Sequence, residues 1–270
     1  PRHNPAIRIV ERIDMGAWSA VWIVFLTGTV ATTLGAAPVL ALRNLSPRLA
    51  NHFIALAAGV MLAASVYALL PAALDAAARQ YPRAWSTPLT LVALGAGAWC
   101  VAWANRHFPH EHQFKGHDGR DSRRSMSFLL VTAIALHNFP EGLSVGVTIG
   151  ATDPTLMPRI ATAIAVQNIP EGLVVAMAML SSGLGRRRSF GLGVLTGLIE
   201  TGGGLVGAAS VGVAGGLLPW GLAFAAGAML YVISAEVIPE THRSGMSGGA
   251  TASLLAGFAA MVWFDALVAG

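Results

Sequence analysis

A seven-residue motif occurs twice in this chain, thirty residues apart. It reads HNFPEGL at 137–143 and QNIPEGL at 167–173, with five of the seven positions identical. In each copy the first residue and the glutamate are four positions apart, so both lie on one face of a helix. Each proline also removes one helical hydrogen bond and frees a backbone carbonyl nearby. The repeat therefore predicts two helix faces that carry nitrogen and oxygen donors.

These donors are typical ligands of divalent transition metals. Imidazole together with carboxylate suits Zn²⁺, Fe²⁺ or Mn²⁺, whereas Ca²⁺ prefers six to eight oxygen ligands. A closed structural zinc site is usually rich in thiolates, and Cys100 is the only cysteine of the chain. Glu141 and Glu171, if they face each other, could bridge two ions. The candidate ligands are His137, Asn138, Glu141, Gln167, Asn168, Glu171 and, from a later segment, Glu200.

The elements that carry these residues are apolar enough to cross a membrane. Only 11% of the 270 residues are charged, and soluble domains usually have about 25%. Helices of roughly 20 apolar residues span a bilayer, and such segments must be helical to satisfy their own backbone. The sequence predicts an all-α integral membrane protein, one membrane domain over 1–270, with an N-terminal tail over about 1–16 and a histidine-bearing loop over about 105–125. The eight predicted spans are 17–42, 52–72, 85–104, 126–150, 159–182, 189–214, 219–239 and 248–268.

The basic residues lie between these segments or at their ends, and they predict the orientation. With both termini extracytoplasmic, eleven Lys and Arg fall in cytoplasmic loops and six fall on the opposite side. This distribution agrees with the positive-inside rule. The basic character of the chain is then a topology signal, and no nucleic-acid partner is expected.

Four glutamates fall inside predicted spans, where no Lys or Arg can neutralise them: Glu141, Glu171, Glu200 and Glu236. An ionised side chain at the bilayer centre costs about 3 kcal/mol or more. Such groups are either protonated or neutralised by a bound cation, and their clustering favours the cation. Spans four and five are joined by a short loop, so we expect them to be antiparallel neighbours whose two motifs meet near mid-membrane. Glycines spaced by four residues predict close helix packing.

The paired motif resembles that of the ZIP (Zrt/Irt-like) family of divalent-metal transporters, with the similarity extending over the chain and including VIPETH at 237–242. The resemblance, strongest to bacterial members, implies an eight-helix bundle of the bacterial inner membrane that takes up zinc, and also cadmium, iron or manganese, into the cytoplasm. It implies two bound ions as cargo, no catalytic cofactor, and spans one, four, five and six moving against the other four. One ion would be held by His137, Glu141, Gln167 and Glu171, the other by Asn138, Asn168 and Glu200 with both bridging glutamates, and Met61 would be a soft neighbouring contact.

This chain departs from the family pattern at three positions. Gln167 stands where many members have His, and Asn168 stands where Asp is a common alternative. Fewer imidazoles and fewer charges should weaken or broaden ion selection. Ala235 replaces a histidine that many members have before the glutamate of span seven. The role of Glu236 stays open between a relay and an interhelical hydrogen bond.

Other polar residues lie outside the spans. The loop between spans three and four carries four histidines, which could gather metal or could belong to a solvated loop. Asp75 and Asp265 lie near span ends on the predicted extracytoplasmic side. Their position suggests that they draw cations into an entrance.

The competing hypotheses are an intramembrane metal-dependent enzyme and a metal sensor. A zinc peptidase would need His-Glu-x-x-His, but the order here is His-x-x-x-Glu. A di-iron carboxylate site would need two Glu-x-x-His motifs, and the segment 240–242 has the wrong spacing. The chain is therefore not expected to be an enzyme. The expected partners are divalent metal ions and the lipid bilayer, with a homodimer as an open alternative.

Overall fold

The fold is a bundle of long helices. The structure, a computed structural model, describes residues 19–42, 45–107, 110–112, 116–118, 126–149, 155–242 and 247–269. The helices are α1 (Ser19–Leu40), α2 (Pro47–Gln80), α3 (Arg83–His107), α4 (Met126–Thr148), α5 (Leu156–Ser181), α6 (Arg186–Val213), α7 (Leu218–His242) and α8 (Ser247–Ala269).

Seven of these helices are long and apolar enough to cross a membrane, and α4 is a further helix of 23 residues between the third and fourth of them. The most apolar 18-residue windows of α3 and α8 are 17% buried inside the protein, against 61% for that of α2. Helices α3 and α8 therefore offer most of their surface to the surroundings. The chain is accordingly a helical membrane protein, while the count of eight spans and their orientation remain predictions.

Local sequence sets several helix ends and irregular turns. The Ser46 side chain accepts a hydrogen bond from the Leu49 amide at 3.2 Å and caps α2, with Pro47 in the first turn. Gly183 adopts a positive φ of 94° in the turn between α5 and α6, a conformation that glycine adopts without steric cost. Helices α4 and α5 continue through Pro140 and Pro170. The wider π-helical turns lie elsewhere, at Phe25–Val30, Ala64–Leu69 and Ile233–Val237.

Glycines bring the four helices α1, α4, α5 and α6 together. A methyl group on Gly142 would overlap the carbonyl oxygen of Glu200, and one on Gly146 would overlap that of Gly204. Gly35 of α1 meets the carbonyl of Ile169 on α5 in the same way. The parallel pairs α4–α6 and α1–α5 are therefore in backbone contact, which only small residues allow. We call α1, α4, α5 and α6 the first helix group.

Helix α4 packs mainly along α6 and contacts α5 less extensively. The sequence led us to expect α5 as its neighbour because a short connection joins the two. The two helices are in contact as expected, and the larger contact with α6 follows from Gly142 and Gly146, which meet the backbone of α6.

A second helix group contains α2, α3, α7 and α8. Gly59 of α2 meets the backbone of Leu254 on α8, and Gly97 of α3 meets the carbonyl of Phe224 on α7. Helix α2 also packs against both α3 and α7, which joins the two pairs. The boundary between the groups is formed mainly by α2 against α5 and by α4 against α7.

The connection between α3 and α4 contains a short two-stranded antiparallel sheet, β1 (His110–His112) and β2 (Gly116–Asp118). The rest of the predicted histidine-bearing loop and the predicted tail over 1–16 lie outside the described residues.

Replacing Gly142 with alanine should destabilise the first helix group. The added methyl group would overlap the carbonyl of Glu200, so α4 and α6 must separate. We expect the free energy of unfolding to fall by about 1–3 kcal/mol, measured by thermal or SDS-induced unfolding in detergent. The matched control is Gly191→Ala on α6, where an added methyl group meets nothing within 4 Å. Equal stability of the two variants would contradict this packing.

Candidate metal site

Three glutamates of the first helix group share one buried region. Glu141 on α4 is 0% exposed and Glu200 on α6 is 1% exposed, while Glu171 on α5 is partly buried. Glu141 lies within electrostatic range of both other glutamates. Neither carboxylate oxygen of Glu141 has a hydrogen-bond partner among the described residues. Buried polar groups normally have partners, so this carboxylate is the outstanding feature of the region.

Glu200 is held by an amide. The Nδ2 group of Asn168 donates to both Glu200 oxygens, at 2.7 and 2.9 Å, and to the Thr27 carbonyl at 2.8 Å. These bonds join α1, α5 and α6 around one carboxylate. They fix its position without supplying a positive charge.

Further amide groups surround the glutamates. Gln167 and Asn138 are both buried, at 0% and 1% exposed. Gln167 lies close to Glu141, and Asn138 lies close to Glu200. The Oε1 and Nε2 atoms of Gln167 and the Oδ1 atom of Asn138 make no hydrogen bond within the part of the chain that the structure describes. Each of these two side chains is therefore a neutral amide beside a carboxylate and could serve as a metal ligand.

The His137 side chain extends to the other helix group. Its Nε2 atom lies 2.5 Å from Oε2 of Glu236 on α7. Asn105 on α3 donates to the other oxygen of Glu236. His137 also lies within electrostatic range of Glu171, so it stands between the three glutamates and α7. Glu236, at 5% exposed, thus takes part in interhelical hydrogen bonds, one of the two roles that the sequence left open.

Met61 is buried on α2 at 3% exposed. Among the described residues no hydrogen bond or ion pair joins it to the glutamates, and no three His, Cys, Asp or Glu side chains meet closely enough to hold a metal ion. The structure thus brings Glu141, Asn138, Gln167, Asn168, Glu171 and Glu200 together. It places His137 against Glu236, and the role of Met61 stays a prediction.

The two acids expected at an entrance differ in their surroundings. Asp75 is exposed near the end of α2. Asp265 on α8 accepts a hydrogen bond from Nε of Arg159 on α5 and forms an ion pair with its Nη2 atom. In this structure, Asp265 is therefore neutralised by a guanidinium and does not present a free carboxylate.

The sequence analysis missed the polar contacts that attach α1 to the site. The Oγ1 atoms of Thr29 and Thr201 lie 2.8 Å apart, and Thr29 also donates to the Gly197 carbonyl at 3.1 Å. Thr201 donates to the Val24 carbonyl at 3.2 Å. Threonines are common in apolar helices, so Thr29 could not be selected from the sequence. Thr201 was notable only because it follows Glu200. Asn105 likewise gave no signal beyond being a polar residue near a span end.

The fold and site define a membrane protein with clustered acidic and amide groups in the interior of its helix bundle, an arrangement typical of cation carriers. Comparison with known proteins identifies the family within this class. The profile described as ZIP Zinc transporter matches residues 104–265.

Curated relatives align over nearly the whole chain. Zinc transporter GufA of Myxococcus xanthus is 43% identical over 243 residues, covering 89% of this chain and 95% of the relative. Zinc transporter ZIPB of Bordetella bronchiseptica is 41% identical, covering 88% and 78%. Zinc transporter ZupT of Corynebacterium aurimucosum is 32% identical, covering 92% and 97%. This chain belongs to the ZIP family of zinc transporters.

Replacing Asn168 with alanine should loosen the contact among α1, α5 and α6. The change removes the donor to Glu200 and to the Thr27 carbonyl, leaving a buried carboxylate less well satisfied. We expect a loss of about 1–3 kcal/mol in the free energy of unfolding, measured in metal-free detergent solution. The control is Ser210→Ala on α6, whose exposed hydroxyl bonds only to the Val206 carbonyl of its own helix. A loss no larger than that of the control would contradict the role given to Asn168.

Proposed function

We propose that this chain carries divalent transition-metal ions, with zinc foremost, across the membrane into the cytoplasm, and that the ions bind at a two-ion site on α4, α5 and α6. Membership in the ZIP family supports divalent-metal transport. The observation that carries the proposal is Glu141, fully buried beside Glu171 and Glu200 with both carboxylate oxygens unpartnered among the described residues.

The charge balance of the site argues for a cationic cargo. In the part of the chain that the structure describes, no Lys or Arg pairs with Glu141, Glu171 or Glu200. Burying several carboxylates together is costly because each lacks water and repels the others. A divalent cation supplies two positive charges to this group of carboxylates, which must move closer together to bind it. The same site would bind a monovalent ion less strongly.

The ligand set divides naturally between two ions. Glu141 and Glu171 are the bridging groups, since they come from the two copies of the motif. Gln167 lies beside Glu141, and Asn138 and Asn168 lie beside Glu200. The first ion takes His137, Glu141, Gln167 and Glu171. The second takes Asn138, Asn168 and Glu200 together with the bridging carboxylates.

His137 must change partners when the first ion binds. In this structure its Nε2 atom contacts Glu236. We propose that the ion takes this same nitrogen, which then cannot keep the contact, whereas an ion at Nδ1 would leave the contact in place. Metal binding therefore releases a link between α4 of the first helix group and α7 of the second. The two events compete for one imidazole, so each opposes the other.

The two helix groups provide the moving parts. Backbone contacts at glycines hold each group together, whereas side chains fill much of the boundary between them, such as Ile160 of α5 and Leu222 of α7 in one apolar cluster. Side-chain contacts can re-form in a new position more easily than interlocked backbones. The carboxylates travel with the first group, which exposes the site to one side of the membrane at a time. Cadmium, iron and manganese are further cargoes, since Gln167 and Asn168 supply neutral oxygen donors rather than an imidazole and a carboxylate.

Neutralising the bridging carboxylates should abolish transport. We expect the variant Glu141→Gln with Glu171→Gln to take up zinc no faster than protein-free vesicles, because the cation loses both bridging charges while side-chain size is kept. The measurement is zinc uptake into proteoliposomes with a trapped fluorescent indicator. The control is Ser234→Ala, an exposed residue of α7 that bonds only to the carbonyls of Leu230 and Tyr231 on its own helix. Uptake at the wild-type rate by the double variant would overturn the proposal.

Weakening the His137–Glu236 contact should strengthen zinc binding. In Glu236→Gln a neutral amide replaces the carboxylate, so His137 is released to the metal at lower cost. We expect zinc affinity to rise between about threefold and tenfold, as follows from weakening a competing contact by about 0.7–1.4 kcal/mol. Isothermal titration calorimetry on purified protein measures this directly.

Two further variants help to explain any change in the zinc affinity of Glu236→Gln. His137→Ala should lower zinc affinity because it removes a ligand. Asn105→Ala keeps the Glu236 carboxylate and should change affinity less than Glu236→Gln. A fall in affinity for Glu236→Gln would mean that Glu236 supports the metal-bound state, as a ligand or by orienting His137 through its other ring nitrogen, contrary to the exchange of partners described above.

A further inference from the structure

Arg159 is unusual among the arginines of this protein. It is 9% exposed, whereas the other arginines that the structure describes are exposed. Its guanidinium contacts Asp265, whose side chain is 16% exposed. A guanidinium is rarely buried unless it is paired. The contact is therefore built into the packing rather than formed by two long side chains meeting in water.

The position of this pair is as informative as its burial. Arg159 lies in the first turn of α5, in the first helix group, and Asp265 lies near the end of α8, in the second. The pair therefore crosses the boundary between the two groups. It lies at the predicted extracytoplasmic side, where α5 begins and α8 ends. The His137–Glu236 contact crosses the same boundary deeper in the bundle.

Below the pair, α5 turns an apolar face toward the second group. Ile160 and Ile164 share this face, begin one residue after Arg159 and are both 0% exposed. They belong to one apolar cluster with residues of α2, α7 and α8, including Met61, Leu222 and Met261. Packed apolar side chains therefore lie on the inner side of the ion pair.

We propose that the Arg159–Asp265 ion pair is a latch that holds the predicted extracytoplasmic mouth shut and breaks each time the mouth opens. The latch rests on the proposed function, because it presumes that the two helix groups move apart on this side. While it is closed, the guanidinium neutralises Asp265 and places a positive charge where cations would enter. Opening separates the two side chains and returns the Asp265 carboxylate to water.

A purely structural ion pair and a latch make different predictions. Loss of a structural pair loosens the protein wherever its packing is weak. Loss of a latch shifts the population toward the open form and exposes only the face beneath it. The distinction can be measured without metal or transport, so the outcome does not depend on whether the carboxylates bind zinc.

The test is thiol labelling in detergent, where a charged methanethiosulfonate reagent reaches both sides of the protein. The background is Cys100→Ser, since Cys100 is exposed and is the only native cysteine. The reporter is Ile164→Cys, beneath the latch. A second reporter, Ala176→Cys, lies further along α5 at a position that is 0% exposed and packs within the first helix group.

We expect Asp265→Asn to raise the labelling rate of the Ile164→Cys reporter at least about tenfold, a conservative value for breaking a buried pair, with little change at Ala176→Cys. Arg159→Gln should act similarly, and the two changes together should add little because both remove one interaction. Exchanging the charges, Arg159→Asp with Asp265→Arg, should bring labelling back toward the starting rate. The matched control is Asp75→Asn, the same chemical change at an exposed residue near the end of α2.

Two results would overturn the latch. One is a labelling rate at Ile164→Cys that is the same for Asp265→Asn and Asp75→Asn. The other is a parallel rise at both reporters, which identifies general loosening. Neither result bears on metal binding, so failure of the latch is distinct from failure of the proposed transport, which zinc uptake by the Glu141 and Glu171 variant decides.

Discussion

The cost of burying carboxylates away from water shapes this molecule. Glu141 is fully enclosed, and Glu171 and Glu200 are close enough to repel it. Hydrogen bonds from Asn168 hold Glu200 in place, but amides supply no positive charge. Such a site is balanced only when protons or a bound cation neutralise it, which is a useful property for a protein whose ligand must bind and then leave.

The Pro-Glu-Gly sequence of each motif joins this chemistry to the packing of the helices. The glutamate supplies a carboxylate, and the glycine after it is the position where a neighbouring helix makes backbone contact. Gly142 meets the backbone of Glu200, and Gly172 meets that of Thr32. The same residues that bring α4 against α6 therefore bring Glu141 toward Glu200. The proposed site and the helix group therefore form one unit, so a movement of the group would carry the site with it.

Much of this organisation can be predicted from sequence. The contacts that cannot be predicted share one physical cause, which is that they join segments far apart in the chain. The apolar segments predict the helices, the repeat predicts which helix faces carry the motifs, and the glycine spacing predicts close helix packing. All three are local patterns in the sequence. The main partner of α4, the contact of His137 with Glu236, and the pairing of Asp265 with Arg159 depend on which distant segments meet. Asp265 illustrates the difference, because near a span end it suggests a free entrance carboxylate, whereas the fold places a buried guanidinium against it. The π-helical turns escape prediction because they insert one residue into otherwise ordinary apolar helices.

The central claim is that the buried carboxylates of the first helix group hold the transported metal. Anomalous X-ray scattering at the zinc absorption edge, on crystals of the zinc-loaded protein, tests this most directly. The account predicts two zinc peaks, both within coordination distance of Glu141 and Glu171 and one also close to Glu200, with the imidazole of His137 turned away from Glu236. Zinc bound only elsewhere on the protein, with Glu141 still unpartnered and His137 still against Glu236, would contradict it.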